Sequence, residues 1–277
     1  MAQTKIPRLT ILSASETAGS RAPSPLYCKR MQLIVQELAT TYTRTGTGKP
    51  VVILHGWGDS SEGWQSFVRK LSKRYDVIVP DLPGFGGTEP PHEAWNVTSY
   101  AQFVRDFLQK LDIKPYAIVG HSNGGAIAVR GVGQGLFVAD KLVLLASSGV
   151  RNPRASSRLQ VIAKVGKAVS TPLPKRLRSN FRRRLYERVG SDMLVAEHLQ
   201  DTFKRIVRDD VRADAAYIST PTLLVYGEAD TATSPKLGQQ LHAAIDGSGF
   251  VVLPGAGHFV HVDAAAETQR LVGDFLG

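Results

Sequence analysis

PYAIVGHSNGGAIAVR, residues 115–130, is the stretch on which the fold turns. It begins with a short apolar run, Ala117–Val119, and ends in small residues of helical character that continue through Gly125–Gly133. Between them stand Gly120, His121, Ser122, Asn123 and Gly124, a G-x-S-x-G pattern in the setting of strand, sharp turn and helix. A serine at such a turn takes a strained backbone conformation that lifts its hydroxyl clear of the sheet. The flanking glycines leave room for strand and helix to close on each other. The helix start aims backbone N–H groups and the positive end of its dipole at the same point. Ser122 is the candidate nucleophile.

A hydroxyl is a weak nucleophile until a base takes its proton and an acid holds that base. Downstream, Asp230 closes the turn Gly227-Glu228-Ala229-Asp230 after the apolar run Leu223–Tyr226. His258 ends Pro254-Gly255-Ala256-Gly257-His258 after Val251–Leu253. Both follow strands, at the edge where open α/β sheets place their sites, and the order serine, acid, histidine suits this architecture. Asp230 is the candidate acid and His258 the candidate base. Glu228 is a rival acid two residues nearer its strand and is expected to be misdirected. His242 falls mid-helix and reads as a surface residue, while His261 is expected to flank the site. Upstream, VVILHGWGDSSEGW, residues 51–64, is a strand running into a glycine-containing loop and a helix. Acyl transfer puts negative charge on a carbonyl oxygen, which two preorganised N–H donors stabilise. The backbone N–H groups of Asn123 and Trp57 are the candidate oxyanion hole. His55, Gly56, His121 and Phe259 are the residues expected to lie against the substrate.

Outward from these motifs, short Val, Ile and Leu runs mark strands at Val51–Leu54, Val77–Val79, Ala117–Val119, Leu142–Leu145, Leu223–Tyr226 and Val251–Leu253. Helical patterns lie between most of them: Trp64–Leu71, Tyr100–Leu111, Gly125–Gly133, Pro235–Ile245 and Ala264–Leu276. The alternation predicts an α/β fold with a doubly wound, mostly parallel sheet, and the continuously apolar strands predict helices on both faces. Residues 31–45 alternate more and suit an antiparallel hairpin at one edge. The rhythm breaks once, after Leu145. Phe181, Leu185 and Val189 then recur at a spacing of four among arginines, as in an amphipathic helix lying over something else. The chain thus divides into an N-terminal tail (1–30), a core (31–147 and 217–277) and an inserted helical cap (148–216). Apolar cap residues such as Leu159, Ile162, Val165 and Phe181 are expected to line or cover the pocket.

The formal net charge is +10 over 277 residues. Between Val150 and Arg212 there are 16 Lys or Arg and 6 Asp or Glu, so the excess belongs to the cap and the remainder is neutral. A solvated helical face is the favoured reading of that charge, ahead of contact with an anionic membrane surface or an acidic substrate. No recognised module accompanies it, so nucleic acid is not an expected partner. No apolar run is long enough to span a bilayer. Cys28, the one cysteine, permits no intrachain disulfide. With no secretory signal pattern at the start, a cytoplasmic monomer or small homo-oligomer is expected.

Taken in order and spacing, HGWG, DLPGFGGTEP at 81–90, GHSNGG, GEAD and PGAGH resemble the α/β-hydrolase superfamily over residues 50–146 and 220–277. The resemblance implies that Asp81 is structural. Epoxide hydrolases and haloalkane dehalogenases of that superfamily use an aspartate nucleophile, and Ser122 argues against both. Three activities fit: a serine carboxylesterase cleaving small or medium esters through an acyl-enzyme, a C–C hydrolase similar to the meta-cleavage enzymes, and a non-catalytic small-ligand receptor. The meta-cleavage enzymes usually carry Asn before the serine and Trp four residues after the catalytic histidine, where this chain has His121 and Val262. The expectation is therefore the esterase, with a small-molecule ester as its substrate. No metal or other cofactor is expected, since the histidines lack metal-ligand spacing and the mechanism needs none.

Overall fold

A computed structural model describes residues 29–151 and 196–277. Most of the expected tail and cap, including Leu159, Ile162, Val165 and the Phe181–Val189 pattern, lies outside the described residues. Eight strands form one sheet: β1 (Lys29–Val35), β2 (Leu38–Thr45), β3 (Lys49–Leu54), β4 (Tyr75–Pro80), β5 (Ala117–His121), β6 (Lys141–Leu145), β7 (Thr222–Gly227) and β8 (Gly249–Leu253). Their order is β1-β2-β4-β3-β5-β6-β7-β8. The β1–β2 hairpin is antiparallel and β2 meets β4 antiparallel; every other pairing is parallel.

The strands are apolar on both faces because helices cover both. Successive side chains point to opposite sides. On one side Val52, Leu54, Ile118, Leu142, Leu144, Leu224 and Tyr226 pack under α2 (Val97–Lys110), α3 (Asn123–Gly133) and α6 (Pro235–Ala244). On the other, Val51, Ile53, Val119, Val143, Leu145 and Val225 pack under α1 (Gln65–Leu71) and α7 (Ala265–Leu276). Helix α2 starts at a capping box, with Asn96 Oδ1 accepting from the Ser99 N–H, and Pro235 occupies the first turn of α6.

Two boundaries differ from expectation. Strand β1 begins at Lys29 because ladder pairing with Arg44 and Thr43 uses backbone groups and tolerates the polar side chains of the segment. At the other end of the insert, α4 (Gln200–Ile206) and α5 (Arg212–Ala215) lead back to the sheet. The last part of the assigned cap is built into the core, with Val211 and Ala215 fully buried. The cause is Arg130 on α3. Its guanidinium donates to Asp214 (2.6 Å), Asp209 (2.8 Å), the Asp210 carbonyl (3.2 Å) and Thr98 Oγ1 (2.6 Å). A buried cation needs that many acceptors, and these fix where the insert returns. Among the described residues no helix is long and apolar enough to cross a membrane.

Candidate active site

Strand β5 delivers Ser122 to a turn with φ 50° and ψ −116°, a conformation side chains rarely adopt. The turn is held from below, where the Ser122 N–H donates to the Leu145 carbonyl of β6 (3.1 Å). A Cβ at Gly120 would press on Gly124 and Gly125, and one at Gly124 would overlap the Leu54 carbonyl. Both glycines are therefore required by close approach of β3, β5 and α3.

Ser122 Oγ and His258 Nε2 are 3.0 Å apart, and His258 Nδ1 lies 2.9 Å from Asp230 Oδ2. The Asp230 side chain is fully buried and that of His258 is 17% exposed. Asp230 Oδ1 accepts from the N–H groups of Ala232 (2.8 Å) and Thr233 (2.9 Å). Burial pushes its carboxyl up, but bonds from His258 and Thr233 outweigh burial and hold it below the usual carboxylate range. Asp230 therefore faces His258 as a carboxylate. Thr233 Oγ1 lies within reach of Asp230 Oδ2 (2.8 Å), the Ala146 carbonyl (2.8 Å) and His258 Nδ1 (3.1 Å). With one hydroxyl proton it donates to one oxygen at a time. Sequence reasoning missed Thr233; a threonine three residues after a turn aspartate was the available signal.

The rivals are elsewhere. Glu228 is exposed and accepts from the Gly255 N–H. His242, on α6, pairs with Ser248 beyond the end of that helix. His261 is buried and stacked on Trp64, centroids 4.1 Å apart, and burial lowers it to about 4, so it is neutral.

Of the four residues expected against the substrate, two are placed otherwise. His55 is fully buried; its Nε2 accepts from the Leu82 N–H (2.9 Å) and its Nδ1–H donates to the Gly56 carbonyl (2.8 Å). Both nitrogens are spent on holding the loop after β3 against the loop after β4. His121 is also fully buried, and its Nε2–H donates to the His258 carbonyl (3.1 Å). Burial lowers both histidines, His121 well below its ordinary value, helped there by His261 and His258. His121 is the last residue of β5, and its ring packs among His258, Phe259 and His261 instead of standing free. Gly56 does lie beside Ser122, and Phe259 is half exposed with its ring edge-on to His258 (5.3 Å). Asn123 begins α3, where a helix leaves its first N–H groups without acceptors in the helix. Trp57 follows β3, and its ring packs on Phe85 (4.9 Å) and Phe203 (5.2 Å).

The alpha/beta hydrolase family model matches residues 51–270. The chain belongs to that family. An uncharacterised protein of Mycobacterium tuberculosis is 29% identical to this hydrolase over 265 residues, 83% of this chain and 76% of the relative. A 2-hydroxy-6-oxononadienedioate/2-hydroxy-6-oxononatrienedioate hydrolase of Cupriavidus pinatubonensis is 26% identical over 84% of this chain and 89% of its own. Among solved structures, a thermophilic esterase from Thermogutta terrifontis superposes with a TM-score of 0.70 at 20% identity, covering 90% of this chain and 98% of that one.

Proposed function

We propose that this alpha/beta hydrolase is a serine carboxylesterase acting on small or medium acyl groups. The observation that carries the reading is the unbroken relay from Ser122 Oγ to His258 to the buried Asp230, at 3.0 and 2.9 Å. The Ser122 proton passes to His258 Nε2 as Oγ forms a bond to the ester carbonyl carbon. Negative charge gathers on the former carbonyl oxygen, where the N–H groups of Asn123 and Trp57 would meet it. His258 returns the proton to the departing alcohol, then takes one from water as that water attacks the acyl carbon, and gives it to Ser122 Oγ as the ester bond to serine breaks and the acid leaves. Asp230 stabilises the imidazolium in both halves.

A second reading is C–C hydrolysis of a vinylogous diketone acid by the same residues, favoured by similarity to the Cupriavidus hydrolase over most of both chains. One panel separates the two: p-nitrophenyl acetate and butyrate beside a dienoic meta-cleavage substrate, for the parent, Ser122→Ala and His258→Ala. Ester turnover that falls about 10⁴-fold or more in both variants supports the esterase. Turnover of the dienoic substrate alone moves the assignment to the second reading, and full activity in Ser122→Ala ends both.

A further inference from the structure

His121 is covalently joined to the nucleophile turn and hydrogen-bonded to the loop of the base. Its Nε2–H reaches the His258 carbonyl at 3.1 Å, across 137 residues of chain. The adjoining Nδ1–Cε1 edge of the ring lies on the loop after β3, where a Cβ at Gly56 would stand 2.8 Å from Nδ1 and 3.3 Å from Cε1. Behind it His261 packs edge-on (4.7 Å) and stacks on Trp64, whose Nε1–H donates to Asp59 (3.0 Å). His121 thus sits under Ser122, wedged between the base loop and the loop that carries Trp57.

The ring is an expensive choice for that space. Nδ1 is buried with no hydrogen-bond partner, a defect a leucine or phenylalanine would avoid. What the imidazole adds is one donor, and that donor falls on the carbonyl of the base. The Asp230 bond fixes the His258 ring, whereas the His121 bond fixes the backbone carrying it. The difference matters after acylation. The Ser122 hydroxyl no longer exists as a donor to His258 in the acyl-enzyme, yet His258 must stay in place to deprotonate water.

We propose that His121 is a positioning residue, whose Nε2–H bond to the His258 carbonyl holds the base loop to the nucleophile turn through the acyl-enzyme stage. The inference rests on the serine esterase reading above.

The test compares His121→Leu with His121→Gln, whose amide nitrogen reaches about as far as imidazole Nε2. Steady-state and burst kinetics on p-nitrophenyl acetate are read beside thermal unfolding. His121→Leu is expected to lower kcat about 100-fold with little change in KM, the scale of a misplacement near 1 Å. Deacylation is slowed most, so a burst of nitrophenolate appears. His121→Gln is expected to recover at least about tenfold of that loss. A leucine variant with parental kcat overturns the proposal, and so does a glutamine variant no better than leucine. Should the leucine variant not fold, ¹⁵N-histidine NMR of the parent decides: a slowly exchanging proton on His121 Nε2 supports it, and an Nδ1-protonated tautomer overturns it. Turnover that survives Ser122→Ala refutes the esterase reading itself; turnover that vanishes there but is untouched in His121→Leu refutes the positioning role alone.

Discussion

Asp81 and Asp230 are both buried carboxylates just past the C-terminal ends of strands, β4 and β7. They differ in what their oxygens face. Asp81 accepts from the backbone N–H groups of Ser61 (2.7 Å) and Gly87 (2.8 Å), tying together the loops after β3 and β4, and the Arg30 guanidinium stands 3.8 Å away. Asp230 spends one oxygen on backbone N–H groups in the same manner but turns the other to Thr233 and His258. Burial and place at the sheet edge therefore do not make a catalytic acid. On the proposed esterase reading, a titratable partner that itself reaches Ser122 does.

The largest expected effect exchanges the two. Asp230→Asn should lower turnover about 10⁴-fold, since an amide cannot hold the His258 tautomer that accepts from serine. Asp81→Asn should leave kcat of the folded protein within a few-fold of the parent. It should cost about 1–3 kcal/mol in urea unfolding, because an amide group replaces an acceptor facing a buried N–H. An Asp81 variant that is stable but inactive would erase the distinction.

A second expectation concerns acid. His261 is about 4 when folded against an ordinary 6.5, and His55 and His121 are lowered as well. Between those values the unfolded chain binds protons that the folded chain refuses, so stability falls as pH drops from 6.5 toward 4. His261 alone accounts for about 3 kcal/mol of that loss. Asp230 acts in a lower window: its depressed carboxyl adds stability that is complete above its unfolded value near 3.8 and lost as pH falls through the folded value. Urea midpoints from pH 7.5 to 4.5 measure the first window. His261→Phe, which keeps a ring on Trp64, should flatten the slope, and an unchanged slope would assign the lability elsewhere.

The meeting of Ser122, Asp230 and His258 at one edge of the sheet was legible in the sequence because each follows an apolar strand, and parallel strands bring their ends to one edge. Ser122 in its glycine frame is a local signal. The placements of His55 and His121 were not legible, because they depend on loops distant in sequence: the one after β4 for His55, the one after β8 for His121. The end of the cap was misplaced for a similar reason. Nothing in the local sequence marks Asp209 and Asp214 as partners of Arg130, some 80 residues earlier.

The smallest expected effect tests how much of Asp230's role belongs to its neighbour. Thr233 donates its backbone N–H to Asp230 Oδ1, while its hydroxyl chooses between Asp230 Oδ2 and the Ala146 carbonyl. Thr233→Val keeps the shape and the backbone bond and removes the hydroxyl. The Asp230 Oδ2 atom retains His258 as a donor, so the acid stays ionised and the relay stays intact. Turnover should fall by about tenfold or less, and stability by about 1–2 kcal/mol, the order of one buried hydrogen bond with a carbonyl left unpaired. Kinetics on p-nitrophenyl butyrate beside urea unfolding measure both. A loss approaching that of Asp230→Asn would mean that the hydroxyl, rather than the backbone N–H groups, sets where the carboxylate points. The contrast with Asp81, oriented by backbone amides, would then be sharper still.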